Sequence, residues 1–191
     1  MASSGDLVVI VGTGGTIAGT AEHGGDSVGY RAASLDVRSL VAAVPMLAGL
    51  LLECEQLAQL DSKDMDHATW QRLAQRVAHH LARPEVAGIV VTHGTDTAEE
   101  TAWLLQRVLA PAKPVVLAVA MRPASSLRAD GPQNLADAVA VAYVSPIIIT
   151  LLSIVFLGEK VGPRRWAAVI MGMLGAIIML RPGAGVIQPA A

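Results

Sequence analysis

A short polar loop at residues 92–97, Thr-His-Gly-Thr-Asp-Thr, crowds hydroxyl, imidazole and carboxylate groups onto a turn that a glycine allows to bend. A hydroxyl is a poor nucleophile at its ordinary pKa, so it needs a neighbour that removes its proton or polarises the group it attacks. Thr95 and Asp96 are therefore candidates for chemistry. A structural role also fits, because the side chain of Asp96 or Thr97 at a helix N-cap would accept hydrogen bonds from the free N–H groups of the first turn. The residue types alone favour the cap.

A second loop, residues 12–19, is rich in glycine and follows directly on the apolar run 7–11. Glycines permit close backbone approach to a ligand, and Thr16 would lie on this loop. The glycine spacing fits neither of the two common phosphate-binding patterns, G-x-G-x-x-G and G-x-x-x-x-G-K-[ST]. The loop is thus a candidate site, and a nucleotide ligand is not favoured.

Apolar periodicity predicts that strands and helices alternate along the first part of the chain. The predicted strands are 7–11, 50–57, 88–92 and 115–119, and the predicted helices are 36–44, 67–82, 98–109 and 132–142. Such alternation indicates an α/β fold with a parallel sheet flanked by helices, in which both polar loops lie at the carboxyl edge of the sheet. On the second helix His79 and His80 have no partner ligand at metal spacing, so we expect both on the surface and no metal site.

The loops TGGTIAG at 13–19 and THGTDTAEETAW at 92–103 together resemble the bacterial-type L-asparaginases. Further segments agree in order and approximate spacing. They are DSKDM at 61–65, MRP at 121–123, RADGPQNL at 128–135, and Tyr30, which matches the tyrosine of that family's flexible lid.

The resemblance implies hydrolysis of L-asparagine to L-aspartate and ammonia through an acyl-enzyme, without a metal or organic cofactor. Thr16 would be the nucleophile with Tyr30 beside it, and Thr95 and Asp96 would position substrate and transfer protons. Substrate-binding positions implied in the same way are Ser62, Lys63, Gly15 and Gly94. Lys63 stands where many members have glutamine or glutamate, so L-glutamine stays open as a second small-molecule substrate.

The net charge and the N-terminal residues limit which classes of protein this chain could belong to. Fourteen basic and sixteen acidic residues give a formal net charge of −2, so no electrostatic case exists for binding nucleic acid. The start of the chain has neither the basic residues nor the apolar run of a secretion signal. We therefore expect a cytoplasmic location for the N-terminal part.

Two uncharged runs, 138–157 and 166–180, change the character of the chain. The first run is long enough to span a membrane as a helix and the second is slightly short, which predicts a helical hairpin and membrane association through 138–180, against the alternative of two buried helices. Residues 143–185 resemble two helices of the drug/metabolite transporter (EamA-like) superfamily. The expected organisation is a truncated asparaginase-like domain at 1–142, two membrane-like helices at 143–185 and a tail at 186–191.

The junction near residue 142 bears on activity. In the asparaginases the catalytic lysine and a smaller C-terminal domain follow this point, and here membrane-like sequence stands instead. Groups that act as a unit lose most of their effect when one is removed, so we expect impaired or absent turnover. A homo-oligomer is implied by the resemblance and is put in doubt by the same difference. The alternative function is a membrane protein that carries an inactive asparaginase-like passenger.

Overall fold

A computed structural model describes residues 7–23 and 29–157, together with Trp166 and Ile170. Its strands are β1 (Leu7–Gly14), β2 (Leu52–Leu60), β3 (Val86–Thr92) and β4 (Val115–Ala118), and its helices are α1 (Val37–Ala42), α2 (His67–Leu81), α3 (Ala98–Leu109) and α4 (Gly131–Leu157). Single turns of 3₁₀ helix lie at Thr16–Ala18, Pro45–Leu47 and Ser62–Asp64. The chain divides into two units, Met1–Ala142 and Tyr143–Ala191.

The four strands form one parallel sheet in the order β2-β1-β3-β4. Strands β1 and β3 occupy the centre, and every residue of β3 is buried, as in a sheet covered on both faces. Their runs of valine and isoleucine suit this position because β-branched side chains pack well on a pleated surface. The parallel order carries the ends of β1, β2 and β3 to the same edge of the sheet.

A core of apolar side chains joins β1 and β3 to α2 and α3. Met65, Leu73, Val77 and Leu105 pack against alternate residues of the two central strands, namely Val9, Val11, Ile89 and Val91. Asp66 caps α2, because its Oδ1 accepts the N–H of Thr69 at 2.7 Å. Helix α4 contributes Leu135, Val139 and Ala142, all buried, to the first unit.

The structure confirms the predicted order of strands and helices and the parallel sheet. Strands β1 and β2 extend further toward the site than periodicity indicated, because their polar and glycine-containing ends still pair with neighbours.

The helical hairpin expected in the C-terminal part is not supported by the described residues. The run 138–157 continues the preceding helix as part of α4. Apart from Trp166 and Ile170, the run 166–180 lies outside the described residues, and so does the tail at 186–191. Within the described ranges, no helix is both long and apolar enough to cross a membrane.

The prediction that His79 and His80 both lie on the surface is wrong for His80, which is 1% exposed. Its Nε2 lies 2.6 Å from Glu55 Oε2, and its Nδ1 lies 3.0 Å from Arg83 Nη1. Strand β2 presents acidic side chains toward α2, so a buried imidazole there gains hydrogen-bond partners on both sides. His79 is exposed, as expected.

Candidate active site

Three loops meet at the carboxyl edge of the sheet, one after each of β1, β2 and β3. They carry Thr16, Ser62 and Thr95 respectively. Their meeting follows from the parallel order, since β1 pairs with both β2 and β3. The two polar loops that the sequence singled out are therefore neighbours, as strand direction predicts.

Backbone contacts between glycines set how closely these loops approach. Gly15 has φ 78°, and a Cβ there would collide with the backbone of His93 and Gly94. A Cβ on Gly94 would in turn collide with the Ser62 side chain. Gly15 and Gly94, proposed from the sequence as substrate-binding positions, thus hold the three loops in direct contact.

Thr16 lies in the 3₁₀ turn that follows β1 and is 8% exposed. Its Oγ1 lies 2.7 Å from the Tyr30 Oη, and either oxygen can donate in this hydrogen bond. Tyr30 reaches this position because Thr20 and Arg31 form an antiparallel bridge that brings the chain back beside the Thr16 loop. The structure thus brings together the predicted nucleophile and its predicted phenol partner.

The Thr16 loop is braced by the segment between β4 and α4. Ala124 N–H donates to the Gly19 carbonyl at 2.8 Å, and Ala21 N–H donates to Ser125 Oγ at 2.7 Å. The Asp130 carboxylate accepts the N–H groups of Met121 and Arg122. Although Asp130 directly precedes α4, its carboxylate therefore holds the preceding loop.

Ser62 links the second loop to the third. Its Oγ accepts the Asp96 N–H at 3.1 Å, and its carbonyl accepts a hydrogen bond from Thr97 Oγ1 at 2.9 Å. Thr97 occupies the N-cap position of α3, but its side chain makes no capping hydrogen bond. The capping interpretation therefore holds for the position and not for the side chain, and Asp96 is left exposed at the loop tip.

Lys63 lies at the exposed rim of the site among carboxylates. Its Nζ is 2.6 Å from Asp61 Oδ2 and 3.9 Å from Asp64 Oδ2. The hydrogen bond to Asp61, followed by the charges of Asp61, Asp64 and Asp96, raises the pKa of Lys63. The rim therefore combines one ammonium with three carboxylates, which suits a small ligand that carries both charges.

Buried polar groups that no sequence pattern pointed to contact His93 in the 92–97 loop. His93 is fully buried, with Nδ1 2.7 Å from Thr13 Oγ1 and Nε2 2.9 Å from Thr101 Oγ1. Thr101 Oγ1 also accepts the Trp70 indole N–H at 2.8 Å. Burial lowers the pKa of His93. No local sequence pattern links Thr13 with Thr101, because the two residues belong to different elements.

These features define an α/β protein whose sheet edge gathers a threonine–tyrosine pair with a threonine–aspartate loop. A family model described as "Asparaginase, N-terminal" matches residues 7–168. The chain belongs to the asparaginase family, through that family's N-terminal domain.

Similar proteins agree with this assignment. The chain is 44% identical over 134 residues to "L-asparaginase 2" of Bacillus subtilis (strain 168), which covers 70% of this chain and 36% of that protein. It is 43% identical over 136 residues to a "Glutaminase-asparaginase" of Pseudomonas fluorescens biotype A, covering 71% and 38%. The crystal structure of a "Probable Cytoplasmic L-asparaginase" from Campylobacter jejuni superposes with a TM-score of 0.68 at 44% identity, covering 71% of this chain and 41% of that one. The chain spans about two fifths of the length of these relatives.

The comparisons give no support to a transporter-like segment. The family match continues to residue 168, well past residue 142, where the sequence resemblance to asparaginases was expected to stop.

Proposed function

We propose that this chain carries the nucleophile-bearing half of an asparaginase-type amidohydrolase site, which acts on L-asparagine and, as a second substrate, L-glutamine. The observation that carries the proposal is the 2.7 Å hydrogen bond between Thr16 Oγ1 and Tyr30 Oη. A threonine hydroxyl needs a partner that accepts its proton as it attacks. Similarity to an L-asparaginase and to a glutaminase-asparaginase supports the substrate class.

The chemistry assigned to the site is acyl transfer. Thr16 Oγ1 attacks the side-chain amide carbon and gives its proton to Tyr30 Oη, while Tyr30 gives its own proton to the amide nitrogen, which leaves as ammonia. Water then attacks the ester on Thr16, one of its protons returns to Thr16 Oγ1, and L-aspartate is released. Thr95 and Asp96 stand on the neighbouring loop, which the contact of Gly15 with Gly94 holds against the Thr16 loop.

The substrate's charged groups suit the rim of the site. We assign the α-ammonium of the substrate to the exposed Asp96 carboxylate, and the α-carboxylate to Ser62 and Lys63. Ser62 is 2% exposed and its hydroxyl already accepts the Asp96 N–H, so its own proton remains available to donate to a carboxylate oxygen.

We further propose that turnover by this chain is slow. The asparaginase resemblance assigns proton transfer at Thr95 to a lysine. In the described part of the chain, Lys63 is bound to Asp61, and Lys113 donates to the Arg83 carbonyl. Binding of the substrate and of L-aspartate should therefore be easier to detect than catalysis.

The test combines a melting experiment with an ammonia assay on the purified full chain. We expect millimolar L-aspartate to raise the melting temperature, and Ser62→Ala to remove most of that rise. Ammonia release from L-asparagine should be slow and should vanish in Thr16→Ala. Unchanged release in Thr16→Ala would exclude this threonine as the nucleophile. A melting temperature that L-aspartate leaves unmoved would exclude the substrate class.

A further inference from the structure

His93 is a buried titratable side chain for which the acyl-transfer scheme has no role. It stands between the end of β3 and the loop that carries Thr95 and Asp96. Its ring contacts hydroxyls from two other elements, Thr13 of β1 and Thr101 of α3. A side chain held from both sides at the start of a functional loop is placed to fix that loop.

The direction of the hydrogen bonds around the ring can be worked out from one end. A carbonyl oxygen only accepts, so Thr13 Oγ1 gives its single proton to the Thr92 carbonyl at 2.9 Å. Thr13 Oγ1 can then only accept from His93, which requires a proton on Nδ1. With the opposite tautomer, Thr13 Oγ1 would have to donate its single proton to both the Thr92 carbonyl and His93 Nδ1.

The other side of the ring is compatible with the tautomer that Thr13 requires. The Trp70 indole N–H can only donate, and it donates to Thr101 Oγ1 at 2.8 Å. The Thr101 proton is then free for His93 Nε2, which is 2.9 Å away. Thr97 Oγ1, 3.3 Å from the same nitrogen, has already given its proton to the Ser62 carbonyl.

We propose that His93 is a positioning residue, held as the neutral Nδ1–H tautomer in a one-way hydrogen-bond chain from the Trp70 indole to the Thr92 carbonyl. This chain fixes the loop that carries Thr95 and Asp96. The tautomer and the loop geometry stand independently of the substrate, whereas any consequence for substrate binding rests on the proposed function.

The first test is the ¹⁵N spectrum of the histidine rings in the full chain at neutral pH. His93 should show a protonated Nδ1 and an unprotonated Nε2. His80 provides an internal control with the opposite tautomer, because Arg83 Nη1 can only donate to its Nδ1, and its Nε2 lies 2.6 Å from Glu55 Oε2. A proton on Nε2 of His93 would overturn the proposal.

The second test asks whether the chain positions the loop. Thr13→Val removes the acceptor of the His93 proton, while Thr13→Ser keeps it. We expect hydrogen exchange at the Asp96 amide to become roughly tenfold faster in Thr13→Val and to stay within about twofold in Thr13→Ser, consistent with the loss of one hydrogen bond. Thr92→Val is the matched control, since it changes a buried threonine whose hydroxyl lies outside the chain, and it should leave that exchange unchanged. Equal exchange in Thr13→Val and the wild-type chain would overturn the positioning role.

A third measurement separates this inference from the proposed function. If L-aspartate stabilises the wild-type chain, the stabilisation should fall severalfold in Thr13→Val and be restored in Thr13→Ser. If L-aspartate stabilises neither, the substrate class fails, while the ring spectrum and the Asp96 exchange still decide the role of His93.

Discussion

Single atoms decide how closely the site loops approach. Gly15 combines φ 78° with ψ −172°, a region that is essentially restricted to glycine, and its backbone lies against that of Gly94. Backbone cannot swing aside as a flexible side chain can. The separation between the Thr16 loop and the Thr95 loop is therefore set by the absence of two methyl groups.

Gly15→Ala should lower the free energy of unfolding by more than about 3 kcal/mol, because strain at this φ adds to a collision with backbone. Gly49→Ala is the matched control. Gly49 also has positive φ, 87°, but a Cβ there meets nothing within 4 Å. It should cost only about 1 kcal/mol. Urea unfolding measures both, and equal costs would contradict the close contact at Gly15.

Buried threonines that look alike in sequence should respond oppositely to loss of their hydroxyl. Thr101→Val leaves the Trp70 N–H and His93 Nε2 without their shared partner, which should cost about 1–3 kcal/mol. Thr92 Oγ1 is buried, and it has no hydrogen-bond partner in the part of the chain that the structure describes. Thr92→Val removes an unsatisfied group and should be neutral or stabilising by up to about 1 kcal/mol. Chemical denaturation measures the free energy of unfolding of both variants. If Thr92→Val were destabilised as much as Thr101→Val, this distinction would be refuted.

At the scale of elements, ion pairs join the edge strand β2 to α2 and to the turn that follows α2. Arg76 Nε and Nη2 donate to the Glu55 carboxylate at 2.6 and 2.9 Å, and Arg83 binds Glu53 through both Nη atoms at 2.9 Å. The hydrogen bonds from Arg76 and then His80 lower the pKa of Glu55 to about 2. An edge strand that carries charged side chains is also protected from pairing with other chains.

Glu55→Gln should lower the free energy of unfolding at pH 7 by about 2 kcal/mol, because it removes the charge that Arg76 binds. The folded pKa of Glu55, about 2, lies below its ordinary value of 4.5. Its contribution is therefore complete above pH 4.5 and is lost as pH falls toward 2. The gap between wild type and variant should close over that window. Denaturation at pH 7, 4.5 and 3 measures it, and Gln75→Glu, an exposed change of charge on α2, serves as the control.

The elements were predictable from sequence to the extent that their signals are local. Strand runs and helix periodicity depend on neighbouring residues, and the structure confirms them. The sheet edge that gathers Thr16, Ser62 and Thr95 followed from the parallel order. The burial of His80 did not, because it depends on Glu55 from another element. The support of His93 by Thr13 and Thr101 was invisible for the same reason.

The whole chain consists of two units, and the first contains its own core. Leu135, Val139 and Ala142 of α4 belong to that unit and are at most 1% exposed. They are the last buried contributions to it along the sequence. The residues from 143 onward form the second unit.

Removal of residues 143–191 should therefore lower the melting temperature of the first unit by less than about 5 °C, equivalent to roughly 1 kcal/mol. Removal from residue 131 onward also deletes Leu135 and Val139, and losing each buried side chain costs about 2–5 kcal/mol. That shorter chain should not fold. Circular dichroism melts distinguish the two, and a chain ending at 142 that fails to fold would contradict an independent first unit.

The Thr13–Thr92 hydrogen bond joins residues 79 apart. Closing a loop of this length costs roughly 4 kcal/mol of chain entropy, which only the pairing of β1 with β3 and their packing can offset. At translation rates of about 5–20 residues per second, the Thr16 loop waits some 4–16 s for its counterpart. The Thr16 loop is thus the part of the site that spends longest without its neighbours, and a nascent chain stalled before Thr101 still lacks the hydroxyl that contacts His93 Nε2.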